Sequence, residues 1–218
     1  MSRVQIEQPD LSKPIYDKVK AMILSQELKP GQKIIQEKLS AQLGVSRTPL
    51  AKALQMLEFE LLVESKPRRG MYVKDIDLQE MLEVFECREA LEGMAARKLA
   101  ELTNKDTIKR MEALITPFMN KDKKIVTTKY ARADEKFHQI LIDDTGNKVL
   151  RRLFVFGSIH DKIAQMGLVR PPEETLEEHI KIVEAIKEGD GDKAAEAASM
   201  HVRRSRELIE KEIQKIDN

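Results

Sequence analysis

The chain has 218 residues, of which 41% are apolar, 34% charged and only 4% aromatic, a balance that suits a soluble, helix-rich protein of one large or two small domains and excludes a disordered one. No apolar run reaches the length of a membrane span, the stretch from Met1 to Glu7 lacks a hydrophobic signal segment, and the single Cys87 excludes an internal disulfide, so a cytoplasmic protein with no membrane partner is expected. The net charge of +1 hides a division at Lys74: residues 1–74 carry 13 Lys or Arg against 8 Asp or Glu, a net of +5, and the remainder carries −4, which suits a polyanionic partner for the N-terminal third.

Ile15, Val19 and Ile23 recur at helical spacing after Ser12-Lys13-Pro14. Ser12 reads as the cap and Pro14 as a first-turn residue. This helix is expected to end near Leu28, because Lys29-Pro30-Gly31 is a strong breaker. A second short helix places Leu39 and Leu43 on one face and ends at Gly44, suited to a left-handed cap. Ser46 then caps a third helix, with Pro49 in its first turn. Leu50, Ala53, Leu54 and Leu57 form its inward stripe, leaving Arg47, Thr48, Ala51, Lys52 and Gln55 outward. Two short helices joined by a glycine turn make a helix-turn-helix. Its second helix would present Ser46, Arg47, Thr48 and Lys52 to a major groove, where Arg47 reaches guanine or phosphate.

The segment from Glu64 to Val73 reads as two short strands around a basic turn, a wing. Lys66, Arg68, Arg69 and Gly70 would approach an adjacent minor groove. An isolated basic triplet is more often a solvated turn, but the helix-turn-helix before it reverses that preference. Residues 11–74 resemble the DNA-binding domain of GntR-family regulators, through Leu28-Lys29-Pro30-Gly31, Leu39 to Gly44-Val45-Ser46-Arg47-Thr48-Pro49, Ala53-Leu54, and Arg69-Gly70 with Val73. Two positions depart from that family. Ala51-Lys52 stands where an arginine and an acidic residue are usual, which moves base reading toward Lys52, and Glu37 stands where a basic residue is common.

Asp77-Leu78-Gln79-Glu80 has capping-box spacing and opens a long helix through Ala100, with Leu78, Met81, Leu82, Phe85 and Leu91 in its apolar pattern. Cys87 falls within that pattern and is expected to be a small core residue. Further helices are expected at about 104–119, 122–144, 147–167, 173–188 and 191–215, punctuated by Thr145-Gly146-Asn147, Arg170-Pro171-Pro172 and Gly189-Asp190-Gly191. No strand pattern appears in this part. The expected fold is therefore mainly α: a winged helix-turn-helix of three helices plus a two-stranded wing over 9–74, then an all-α antiparallel helical bundle over 77–215.

The chemistry concentrates in the histidines. Asp134 and His138 lie four apart and share a helix face. His179 and His201 are equidistant from residue 190, so a hairpin turning at Gly189-Asp190-Gly191 sets them at one height. The four residues suit a divalent transition metal such as Zn²⁺, Ni²⁺ or Mn²⁺. An octahedral ion would keep two exchangeable positions, into which a carboxylate effector could enter. His160 has no comparable partner and reads as an ordinary residue.

Residues 78–212 resemble the FCD effector domain of the FadR-like branch of the GntR family, through Arg88-Glu89-Ala90-Leu91-Glu92, Asp134-Glu135-Lys136-Phe137-His138 with Thr145-Gly146-Asn147, Glu178-His179 and Met200-His201. The resemblance implies that Asp134, His138, His179 and His201 hold the metal, that a small carboxylate binds beside it, and that Arg88 is directed toward that effector, a buried salt bridge being its nearest alternative. One small winged module makes too few contacts for operator-level affinity, so a homodimer on a pseudo-palindromic double-stranded DNA operator is expected. The alternatives are a regulator whose signal is the ion alone and a metalloenzyme. No separate nucleophile or base supports the latter, and it leaves the DNA-binding module unexplained.

Overall fold

Two separate clusters of buried apolar side chains organise the chain, which the computed structural model describes over residues 11–75, 77–120, 124–156 and 169–216. They belong to two units that divide after Asp75.

In the first unit α1 (Ser12–Leu24), α2 (Gln36–Leu43) and α3 (Arg47–Phe59) enclose a core in which Val19, Leu50, Ala53, Leu54 and Leu57 are fully buried. The α1 cap falls on Leu11 instead of Ser12 and has no side-chain cap bond. The helix ends at Leu24, four residues before the expected stop: the polar run Ser25-Gln26-Glu27 offers nothing to the core, and Gln26 turns the chain at φ 59°. Leu28 still returns to the core, its N–H donating to the Met22 carbonyl at 3.0 Å. Gly44 closes α2 at φ 66°, with the Gly44 N–H on Ala41 O and the Val45 N–H on Ser40 O, the paired bonds of a left-handed helix terminus. Ser46 occupies the cap position of α3, but its side chain makes no cap bond. A capping oxygen takes the second or third helical amide, and the third residue here is Pro49, which has none.

Strands β2 (Val63–Lys66) and β3 (Gly70–Val73) form the wing hairpin, with Lys66 opposite Gly70. A third strand, β1 (Lys33–Ile34), pairs with the other edge of β3, giving the order β1-β3-β2. The wing is the expected two-stranded hairpin, and β1 extends its sheet by a strand that the sequence did not announce. A two-residue strand has no alternation to read in sequence. At the tip the Arg69 N–H donates to Lys66 O at 2.9 Å, with Pro67 and Arg68 as central residues and Arg68 at φ 61°.

The second unit is helical throughout its described residues: α4 (Leu78–Leu102), α5 (Lys105–Ile115) continuing into one 3₁₀ turn, α6 (Thr127–Asp143), α7 (Lys148–Phe156), α8 (Pro172–Glu188) and α9 (Gly191–Ile216). Asp77 caps α4 as its spacing predicts, accepting from the Glu80 N–H at 2.7 Å. α6 begins five residues later than expected, because the β-branched Ile125-Val126 enters extended, with Val126 at ψ 105°. Gly189 at φ 76° ends α8, and the Asp190 carboxylate accepts from the Lys193 N–H at 3.0 Å to open α9. His160 and the later part of the helix expected over 147–167 lie outside the described residues. Cys87 is exposed, contrary to expectation. The inward face of α4 runs through Phe85, Arg88, Glu92, Ala96 and Leu99, and Cys87 falls off that stripe. No helix among the described residues is long and apolar enough to cross a membrane.

α4 and α9 approach closely at Gly93. A Cβ there would stand 2.2 Å from Ser199 Oγ and 3.3 Å from the Ala195 carbonyl. Ser199 Oγ meanwhile donates to Glu89 O at 3.0 Å. Gly93→Val therefore forces the two helices apart and should lower stability by about 1–3 kcal/mol. Urea unfolding of the variant checks this, with a lower midpoint and an unchanged slope as the expected result.

Candidate metal centre and nucleic-acid interface

In the first unit, α2 and α3 enclose the glycine turn that the sequence predicts. Ser46, Arg47, Thr48 and Lys52 are all exposed, as are Arg68, Arg69 and Gly70. Lys66 is partly covered: its ammonium lies 3.0 Å from Glu64 and 4.9 Å from the Tyr72 ring centroid. Arg47 pairs with Glu37 at 2.9 Å. The acid that departs from the usual family pattern is thus in contact with the arginine expected to read DNA.

The second unit gathers the four predicted metal ligands from three helices. Asp134 and His138 come from α6, His179 from α8 and His201 from α9. One ligand atom from each of the three histidines lies within 4.8 Å of the others. Asp134 Oδ1 stands 3.9 Å from His138 Nε2 and 3.7 Å from His179 Nε2. All three imidazoles are buried, and the ring centroids of His179 and His201, at mirrored positions about the turn, are 4.7 Å apart.

Every Nδ1 is tied to a neighbour. His138 Nδ1 is 2.7 Å from Glu92 Oε2, and His201 Nδ1 is 2.8 Å from Glu178 Oε2. An ionised carboxylate only accepts, so in both contacts Nδ1 carries the proton and Nε2 keeps its lone pair. His179 Nδ1 contacts the Tyr130 hydroxyl at 3.3 Å, which in turn accepts from Thr175 Oγ1 at 2.9 Å. The Nε2 of His179 is buried without a hydrogen-bond partner. A buried ring nitrogen left so costs roughly 1–3 kcal/mol unless something meets it, and with the ring proton on Nδ1 a cation fits there.

At His179 and His201 electrostatics favour the neutral ring that a metal requires. Burial pushes His179 well below the ordinary histidine value, aided by His201 and His138, and burial lowers His201 as well, against the opposing pull of Glu178. Burial acts to raise Glu92, but Arg88 and His138 outweigh it and hold the carboxyl far below its usual range. Glu178 is lowered in the same sense by Arg170, His201 and Arg204, again against burial. Arg88, expected to face an effector, gives its Nε to Glu92 Oε1 at 2.6 Å and stacks over Phe85 at 4.8 Å.

Glu92, Glu178, Tyr130 and Arg170 had no assigned role in the sequence reading. A signal existed for Glu92: it shares the inward stripe of α4 with Arg88 and apolar residues, where a charge must be partnered. Arg170 looked like loop punctuation ahead of two prolines.

Residues 11–73 match the model of bacterial regulatory proteins of the gntR family, and residues 83–204 match the FCD domain. The chain belongs to the GntR family. This GntR regulator is 28% identical to the HTH-type transcriptional regulator YdhC of Bacillus subtilis over 86% of its own length and 84% of that protein's. It is 23% identical to the HTH-type transcriptional repressor RspR of Escherichia coli, covering 91% and 89% of the two chains. Among solved structures, a putative GntR transcriptional regulator from Rhodococcus superposes with a TM-score of 0.73 at 18% identity, over 91% of this chain and 96% of that one. E. coli McbR/YncC gives 0.72 at 17% identity, over 96% and 100%. The fold is the shared one, and the protein is a DNA-binding transcriptional regulator, not an enzyme.

The buried Arg88–Glu92 pair generates a prediction. Glu92→Ala leaves Arg88 and His138 Nδ1 without their acceptor and should cost about 3–5 kcal/mol in the metal-free protein. The double variant Arg88→Met, Glu92→Leu should cost clearly less. Denaturant titration of the three proteins provides the comparison.

Proposed function

We propose that this GntR regulator binds a pseudo-palindromic operator as a homodimer in the cytoplasm, and that a divalent metal held by Asp134, His138, His179 and His201 anchors a small carboxylate that modulates the binding. The observation that carries the sensor half is the orphaned Nε2 of His179 among histidines whose other nitrogens are already committed. Zn²⁺, Ni²⁺ and Mn²⁺ all suit three imidazoles and a carboxylate. The ion would supply Lewis acidity and open coordination positions for the carboxylate. Arg88 is assigned to the same anion, its Nε held by Glu92 while the terminal NH₂ groups do the reaching.

The DNA half rests on the exposed Ser46, Arg47, Thr48 and Lys52 at α3 and on the basic wing of Lys66, Arg68, Arg69 and Gly70. Arg47 reads a base, and the wing arginines contact backbone or minor groove. Two copies supply the contacts that one winged module lacks.

Elemental analysis of protein purified without chelator should find about one divalent ion per chain, and His179→Ala should lose it. Metal at roughly a thousand times its dissociation constant should raise stability by about 4 kcal/mol, read as a thermal shift that chelator reverses. A metal-replete wild type with no ion would overturn the sensor reading. Operator affinity that responds to metal but to no carboxylate would make the ion itself the signal. On the DNA side, Arg47→Ala should weaken binding to a selected duplex by about 1–3 kcal/mol with little change on unrelated DNA. Arg68→Ala should instead lower the salt slope by about one on both duplexes. Fluorescence anisotropy across a salt series separates the two patterns.

A further inference from the structure

We infer that Arg170 is a positioning residue for the metal centre: by fixing Glu178, it keeps the His201 proton on Nδ1 and leaves Nε2 as the nitrogen offered to the cluster. The inference rests on the metal reading above. Arg170 lies in the bend ahead of α8, outside any helix, yet its side chain is only 3% exposed. Nη1 donates to Glu178 Oε1 at 2.9 Å and Nη2 to Glu178 Oε2, a two-pronged grip on one carboxylate. The remaining bonds reach α9: Nε donates to Ser205 Oγ and Nη2 to the His201 carbonyl, both at 3.0 Å. One guanidinium thus holds both the carboxylate on α8 and the main chain of the histidine that this carboxylate serves.

Glu178 receives four donors: Arg170 twice, Arg204 Nη1 at 2.5 Å and His201 Nδ1 at 2.8 Å. A carboxylate has about four lone-pair sites, so it has no spare capacity and no freedom to swing. Its only available part toward Nδ1 is acceptor. The Nη2 of Arg170 also lies 3.4 Å from His201 Nδ1, but that contact is longer than the Glu178 contact and follows from the shared oxygen. Arg204, with half of its side chain exposed, contributes one bond and touches neither His201 nor its main chain in any contact described above. Without Arg170, Glu178 is free to turn toward Arg204 and solvent, and His201 loses the partner that sets its tautomer. His138 is held separately by Glu92 and Arg88, so the effect should be confined to His201.

The test uses full-length protein labelled with ¹⁵N-histidine, in wild-type form and as Arg170→Met, Arg170→Lys and Arg204→Ala. Long-range proton–nitrogen correlation spectra of the metal-free proteins report which ring nitrogen is protonated. Zn²⁺ affinity is measured by competition with a chromophoric chelator. Wild type and Arg204→Ala should show His201 as a single Nδ1–H tautomer with zinc affinities within about twofold of each other. Arg170→Met should show the other tautomer or a mixture at His201 only, with zinc affinity down about 10–100-fold. Arg170→Lys, which keeps the charge without the fork, should fall between them and decides the matter if Arg170→Met does not fold. An unchanged His201 tautomer with zinc affinity within twofold of wild type in the folded variants overturns the inference, as does a collapse of all three histidine signals in Arg170→Lys, which would mark a purely structural cross-link. A wild type that takes up no zinc defeats the metal reading and the positioning role with it, a result distinct from any change among the variants.

Discussion

The second unit depends on one constraint: a helical bundle that buries ionised side chains must give each of them a partner. Glu92 is fully buried, and Arg88, Arg170 and Glu178 nearly so. Desolvation of such groups costs several kcal/mol each unless opposite charges and hydrogen bonds meet them. The bundle meets that cost in two places with the same arrangement, an arginine on a glutamate and the glutamate on a histidine Nδ1. Apolar packing around Phe137 and Tyr130 then fixes the third ring, Phe137 stacking on His179 with centroids 4.1 Å apart. Rigidity and chemistry therefore have a common origin: the bonds that make buried charge tolerable are those that leave the Nε2 atoms directed inward.

The ligand set was legible in sequence because helices convert spacing into direction. Asp134 and His138 share a face by their four-residue separation, and the Gly189-Asp190-Gly191 turn made the height of His179 and His201 a matter of counting. The α3 core stripe was legible for the same reason. The partners that tune the ligands were not. Arg170 reaches His201 across 31 positions from a bend, and no period links a loop residue to a helix it meets only in three dimensions. The strand Lys33–Ile34 escaped because its existence depends on the edge of β3. Cys87 was misplaced by treating the whole apolar stretch of α4 as core, when only one stripe of that helix turns inward.

In the first unit the cap of α3 shows local rules in competition. Serine at that position and proline three residues on are each favourable helix starts, but together they cancel one bond, since Pro49 removes an amide that Ser46 would otherwise engage. The hydroxyl stays exposed beside Arg47. In a DNA-binding module such a conflict has a use, because a polar group not consumed by its own helix is available to a phosphate.

Arg68 places folding and binding in direct opposition. Its backbone sits at φ 61°, a conformation glycine or asparagine adopts with less strain, and the preceding Pro67 holds the turn so that the strain cannot relax away. Laboratory evolution for thermostability alone should therefore drift toward Gly or Asn at this position and shed a cation from the wing tip. The hairpin tip is a place where a gain in melting temperature is a warning sign, and any stabilised version of this regulator should be checked first for what it has lost there.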